Sequence, residues 1–207
     1  LGLENIFIRP LTRLGKADEN WKNIGYEAKE FLDFYKNTIE YIIEKNKKGF
    51  NLVEGYSSIL LKKILSNNPI NYMELRSPCG GVIGQLAYYY DGNIYTCDEG
   101  RMLAEMGNDS FKLGNVESSS YIELMESNTT RAMCVSSCIE CLPYCSNCVY
   151  MPYCGTCPVI NLAQDENIFA SYPKEFRCKI YGGILDILFD YIEKQDNDVI
   201  EIFRKWI

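Results

Sequence analysis

Between Tyr26 and Lys48 apolar side chains recur every three or four positions, at Ala28, Phe31, Leu32, Tyr35, Ile39, Ile42 and Ile43. That period predicts an amphipathic helix, closed by basic residues and Gly49. A second helix is predicted over 53–66, with Val53, Tyr56, Leu60, Leu61 and Ile64 on one side and Asn67-Asn68-Pro69 as its stop. Ahead of both, residues 4–11 (ENIFIRPL) alternate well enough to form a strand, which needs a sheet to join. The aromatic residues of the two helices are expected in the core.

At Cys79 the pattern changes. The stretch 79–100, CGGVIGQLAYYYDGNIYTCDEG, reads as strand, turn, strand, because Asp91-Gly92 supplies the positive φ that a tight hairpin needs. Such a hairpin puts Cys79 and Cys97 at the same end. Residues 111–116 (FKLGNV) suggest another short strand, and a cap at Ser118–Ser120 opens a brief helix through Tyr121, Leu124 and Met125. Residues 179–193 carry a helical apolar face, weakened in its first turn by Gly182-Gly183, and 199–207 extend or follow it. The boundary between domains is expected between Asn68 and Cys79, giving domains over 1–68 and 69–207. The fold class is α+β.

The chain has 207 residues, long enough for a hydrophobic core without crosslinks. Its formal charge of −7 speaks against a nucleic-acid or anionic-membrane partner, which would need a basic face. No apolar run reaches the length of a membrane span and the N-terminus carries no signal-peptide pattern, so a cytoplasmic location is expected. The chain opens at Leu1 in what reads as mid-strand, and a portion of a longer protein is the expectation.

Chemistry concentrates between Cys134 and Cys157, where seven of the ten cysteines follow the spacing C-x3-C-x2-C-x3-C-x2-C-x5-C-x2-C. A two-residue gap lets one tight turn offer two thiolates to a metal centre. In a reducing compartment such pairs are metal ligands rather than disulfides. Histidine is absent, which excludes mixed cysteine–histidine zinc sites, His-dependent triads and an imidazole base. All-thiolate ligation remains, for iron–sulfur clusters or four-cysteine zinc.

The pattern Cys79-x12-Gly92-x4-Cys97, then Cys145-x2-Cys148-x5-Cys154-x2-Cys157, then Cys178, resembles the seven-cysteine SPASM signature that follows radical SAM barrels. It departs from the family form in one place, since Cys154 and Cys157 stand two residues apart rather than three. The phrases IFIRPLTRLG, NLVEGYSSILL, YTCDEGRMLAEMG and FKLGNV look most like the maturases of the His-Xaa-Ser peptide system. The resemblance implies the last βα elements of a radical SAM barrel over 1–68, followed by a SPASM domain with a β-hairpin, cysteine-rich loops and a C-terminal helix. It implies two auxiliary 4Fe-4S clusters: Cys79, Cys97 and Cys157 on the first, and Cys145, Cys148, Cys154 and Cys178 on the second. For the fourth position of the first cluster the candidates are Cys134, Cys138 and Cys141, or an iron left open to substrate; Cys141 is preferred because it sits beside the second cluster's first ligand. The triplet Cys134-x3-Cys138-x2-Cys141 has the spacing of the radical SAM motif itself. It is read as coincidental, because Glu140 stands where that motif has an aromatic residue and a barrel of eight βα units needs ~200 residues or more.

The implied function is that of the C-terminal portion of a radical SAM/SPASM enzyme modifying a ribosomally made precursor peptide. Its implied partners are that peptide and an N-terminal barrel that binds S-adenosylmethionine, and this portion alone is expected to be inactive. The competing reading is a zinc-ribbon-like interaction module with four-thiolate zinc, and thiolate count does not separate the two metals. Asp98, Glu99 and Arg101 read as a solvated loop with local ion pairs, and Tyr88, Tyr89 and Tyr90 as cross-strand packing.

Overall fold

The computed structural model describes residues 2–66, 70–169 and 176–207, so the expected stop at Asn67-Asn68-Pro69 lies outside the described residues. In order, the first half of the chain holds β1 (Asn5–Ile6), α1 (Lys16–Glu19), α2 (Trp21–Ile24), α3 (Ala28–Lys47), β2 (Val53–Glu54), α4 (Gly55–Leu65), β3 (Ala87–Tyr88) and β4 (Asn93–Tyr95). The second half adds α5 (Asp98–Glu105), β5 (Lys112–Asn115), α6 (Tyr121–Glu126), α7 (Asn128–Ser137), α8 (Pro158–Asp165), α9 (Phe176–Glu193) and α10 (Asn197–Trp206). Two small sheets and no barrel are present among the described residues, as the α+β expectation requires.

The chain divides into two compact units. The first comprises Leu1–Leu11, Tyr26–Ile70 and Lys174–Ile207; the second, Thr12–Gly25 and Asn71–Pro173. Residues 174–207, placed by sequence with the cysteine-rich domain, are thus counted with the long helices, and 12–25 with the cysteine-rich part.

In the first unit α3 buries the face predicted for it, Phe31, Tyr35, Ile39, Ile42 and Ile43, and packs against α9 and α10. The second predicted helix begins later than its periodicity suggests, because Val53 and Glu54 pair in parallel with Asn5 and Ile6. Glu54 explains the shift. Its carboxylate accepts from the amides of Tyr56 (3.0 Å) and Ser57 (2.6 Å), which makes it the N-cap of α4 and fixes the helix start at Gly55. It also accepts from Ile8 N–H (2.9 Å) and from the Tyr35 hydroxyl (2.6 Å), so this fully buried side chain joins strand, α3 and α4. Burial, reinforced by the Glu54 charge, holds the Tyr35 phenol protonated far above the usual tyrosine range.

The C-terminal residues form a separate helix. Gln195 adopts φ 50°, and Asp196 then caps α10 by accepting from Asp198 N–H (3.0 Å) and Val199 N–H (3.3 Å). The glycine pair in α9 has a packing reason: a Cβ on Gly183 would lie 2.4 Å from Leu32 Cδ1, so glycine lets α3 and α9 approach closely.

In the second unit β3, β4 and β5 form an antiparallel sheet in that order, with Ala87 opposite Tyr95 and Ile94 opposite Gly114. Gly92 takes φ 80° in the turn, and Asp91 Oδ1 accepts from Asn93 N–H (3.0 Å), as the Asp-Gly pair predicts. Ser120 caps α6 in a capping box with Glu123. Two expectations fail here. Residues 98–105 are helical rather than a loop, though the expected local ion pair is present, Arg101 to Asp98 along the helix at 2.8 Å. Tyr88 and Tyr90 are 62% and 88% exposed rather than packed across strands, because β3 spans only two residues and ends before Tyr90 can face β4.

Tyr35→Phe removes the hydroxyl donor to a buried carboxylate and should cost about 1.5–3 kcal/mol. The check is a lower urea midpoint with an unchanged slope. The raised Tyr35 pKa gives a second signature: its contribution is complete below the unfolded tyrosine value of ~10 and is lost as pH climbs above it, so the wild-type advantage over Tyr35→Phe should shrink in strong alkali.

Candidate metal centre

Cys79 and Cys97 do come together, but the first strand is shorter than predicted: β3 begins at Ala87, and the residues after Cys79 are turns rather than strand. Val82 N–H donates to Thr96 O (2.9 Å), and a Cβ on Gly81 would lie 3.8 Å from Cys97 Cβ, so the backbone after Cys79 runs directly against Cys97. That same Cβ would come within 2.6 Å of Met133 Cε, which makes Gly81 a close-approach position. Val82 itself sits at φ 67°, a left-handed conformation costly for a β-branched residue, and is buried. Its bond to Thr96 O and its burial hold it there.

Cys97 is the N-cap of α5, and its Sγ accepts from Gly100 N–H (3.4 Å) and Thr96 Oγ1–H (3.8 Å). Cys157 precedes α8 in the corresponding position, with Pro158 in the first turn. Helices α5 and α8 pack on each other, so two thiols at helix N-termini come side by side. Their proximity is felt electrostatically: burial first, and the Cys157 sulfur second, push the Cys97 thiol far above the ordinary cysteine value. Cys79 completes the group. Its N–H donates to Ser137 Oγ (2.9 Å) at the end of α7, and its Sγ accepts from Gly81 N–H (3.5 Å). Cys79, Cys97 and Cys157 are all buried in one cluster with Leu14, Val82, Phe111 and Met133.

Cys145, Cys148 and Cys154 lie on consecutive tight turns and are half-buried. Cys148 N–H donates to Cys145 O (3.0 Å), Met151 N–H to Cys148 O (3.0 Å) and Cys154 N–H to Met151 O (3.3 Å). Cys145 opens the 3-10 turn Cys145–Asn147, Cys148 closes it, and Cys154 closes the next, Met151–Tyr153. Gly155 locks the end of this run, since a Cβ there would lie 2.2 Å from Glu74 O and 3.1 Å from Leu75 Cα. Cys178 stands in the first turn of α9 and belongs to the first unit.

Cys141, the preferred fourth thiolate of the first centre, is exposed, and its Sγ lies 3.4 Å from that of Cys138. Cys134 is half-buried within α7. Among the described residues no three Cys, Asp or Glu side chains stand in the arrangement of a metal site. The donor chemistry nevertheless suits a soft metal: the candidate ligands are all cysteine thiols, and two of the three buried ones precede helices, where Gly100 N–H donates to the Cys97 sulfur.

Sequence reasoning missed α5, α7 and α8, which frame the buried cysteines. Two signals for them are present: Asp98-Glu99 directly after Cys97 is an acidic first turn, and Pro158 directly after Cys157 is a first-turn proline. Ser137, which anchors Cys79, carries no such signal.

No protein-family model matches the sequence, and no protein of curated function matches it. Solved structures do. The chain is similar to native anSMEcpe with bound AdoMet, at a TM-score of 0.58 and 20% identity, over 86% of this chain and 45% of that one. It is similar to native anSMEcpe with bound AdoMet and Cp18Cys peptide at a TM-score of 0.56 and 18% identity, over 85% and 45%. The chain therefore spans less than half the length of the solved structures it matches. No helix among the described residues is long and apolar enough to cross a membrane.

Two outcomes follow from the geometry. In metal-free protein, alkylation of Cys97 and Cys157 should run at least about tenfold slower than that of Cys141, measured by quantitative peptide mapping. Gly155→Ala drives a methyl group into the backbone at Glu74 and should destabilise the second unit by about 1–3 kcal/mol, read by urea unfolding.

Proposed function

We propose that this chain is the C-terminal portion of a radical SAM/SPASM enzyme of the His-Xaa-Ser maturase kind, acting on a ribosomally made precursor peptide and carrying two auxiliary 4Fe-4S clusters. The observation that carries this reading is the burial of Cys79, Cys97 and Cys157 in one core, within a fold like that of anSMEcpe. That protein is a radical SAM/SPASM anaerobic sulfatase maturase, and its solved forms with AdoMet and a peptide support a peptide as the partner class.

On this reading Cys79, Cys97 and Cys157 hold the first cluster, with Cys141 as the fourth thiolate, and Cys145, Cys148, Cys154 and Cys178 hold the second. Clusters so held supply one-electron chemistry, or an iron for a substrate sulfur. The protein's part is environmental. Gly100 N–H and Gly81 N–H direct hydrogen bonds at the sulfurs of Cys97 and Cys79, which offsets thiolate charge. Met133, Phe111 and Val82 exclude water around those sulfurs. S-adenosylmethionine cleavage is assigned to a separate N-terminal barrel, so this portion alone binds clusters and forms no radical.

Anaerobic reconstitution with iron and sulfide should give about eight irons per chain, a broad visible charge-transfer band and an EPR signal on reduction. Cys97→Ser should remove about half the iron. A chain that takes up zinc and no iron under these conditions overturns the cluster reading in favour of a four-thiolate zinc module.

A further inference from the structure

Cys138 and Cys141 differ from the buried cysteines. Cys138 precedes and Cys141 ends a single 3-10 turn, Ile139–Cys141, in which Cys141 N–H donates to Cys138 O (3.0 Å). Both residues between them are tied down: Ile139 N–H donates to Ser77 Oγ (3.1 Å), and the Ser77 hydroxyl donates to the Glu140 carboxylate. The turn is held from outside, and it sets the two sulfurs 3.4 Å apart. A disulfide bond is ~2.05 Å long, so small side-chain rotations close the remaining gap. Cys141 is exposed and Cys138 is half-buried, which leaves an approach for a small molecule.

We infer that Cys138 and Cys141 form a reversible dithiol–disulfide couple that exchanges with low-molecular-weight disulfides. The Cys141 thiolate, the more accessible sulfur, attacks a disulfide RS–SR, forming a Cys141–SR mixed disulfide and expelling RS⁻, which takes up the proton released by Cys141. The Cys138 thiolate then attacks the Cys141 sulfur; the Cys138–Cys141 bond forms, the second RS⁻ leaves, and it takes up the Cys138 proton. Two electrons pass from the cysteine pair to RS–SR, giving one protein disulfide and two RSH. Reduction by a dithiol reverses both steps. A further consequence rests on the cluster reading: the oxidised pair withholds Cys141 from the first centre, and the reduced pair releases it.

Glu140 makes the test direct, because cleavage after glutamate separates the two cysteines onto fragments 127–140 and 141–166. The full chain is incubated with oxidised glutathione, alkylated, cleaved with a glutamyl endopeptidase and mapped by tandem mass spectrometry. The expected product is the two fragments joined through Cys138 and Cys141, at a mass two hydrogens below their sum. Cys134→Ser should keep the linkage. Cys138→Ser and Cys141→Ser should each lose it, with glutathione trapped on the remaining cysteine of the pair in Cys138→Ser. Absence of joined fragments, or joining through Cys134, Cys145 or Cys148 instead, overturns the couple. Iron counts on the reconstituted variants keep the two readings apart. Full iron in Cys141→Ser removes Cys141 from the first centre and leaves an observed disulfide standing, whereas a missing disulfide leaves the cluster reading untouched.

Discussion

A desolvated thiol is costly to ionise, and the second unit places three in one core. Cys79 comes from the start of the hairpin, Cys97 from its end and Cys157 from beyond the cysteine-rich turns, yet all three pack among Leu14, Val82, Phe111 and Met133. Two hydrogen bonds and one close contact bring them there: Val82 N–H to Thr96 O, Cys79 N–H to the Ser137 side-chain Oγ, and Gly155 seated against the carbonyl of Glu74. At Gly155 there is no room for alteration, since a Cβ would strike the backbone of Glu74, and at Gly81 a Cβ would displace the Met133 methyl group. The strained Val82 belongs to the same economy, since its left-handed conformation turns the chain between Cys79 and the strand beside Cys97.

The first unit uses the same device for a structural end. Glu54 is a buried carboxyl group satisfied by two amides at the start of α4, the amide of Ile8 beyond β1 and one phenol. Cys97 at the start of α5 is its sulfur counterpart, accepting from the amide of Gly100. In both places a helix N-terminus supplies the donors that a buried acceptor needs. The difference lies in what surrounds them. Glu54 has donors from four directions, while the sulfur of Cys97 faces another sulfur across the α5–α8 contact.

What could be read from sequence followed from periodicity and from residues with a single conformational use. The α3 face from Phe31 to Ile43, the Asp91-Gly92 turn, the Ser120 cap and the helix through Ile184 and Leu188 were legible on those grounds. The start of α4 was not, since Val53 fits the helical period and only the pairing of Val53 and Glu54 with Asn5 and Ile6 reveals that the strand runs to residue 54. Helices α5 and α8 were hidden by length: eight residues each give barely two turns of pattern. Helix α7 was hidden by composition, because NTTRAMCVSS buries Thr130, Ser136 and Ser137 beside Met133. The convergence of Cys79 and Cys97 followed from the hairpin; that Cys157 joins them depends on α8 docking against α5, a tertiary contact with no local signal.

The composition sharpens the electrostatic problem that any thiolate-bound metal poses in this chain. With no histidine and a formal charge of −7, neither a neutral imidazole ligand nor a surplus of cations relieves the negative charge that several thiolates bring to one centre. The compensation left to the protein is dipolar: amides of Gly81 and Gly100, and the N-terminal turns of α5 and α8. Dipoles of that kind are fixed by the backbone, so substituting a surrounding side chain alters packing before it alters charge balance. Such an arrangement tunes a centre by geometry. It places favourable control of these sulfurs in the glycines and helix starts around them, while burial, the Cys157 sulfur and Glu99 act against ionisation of Cys97.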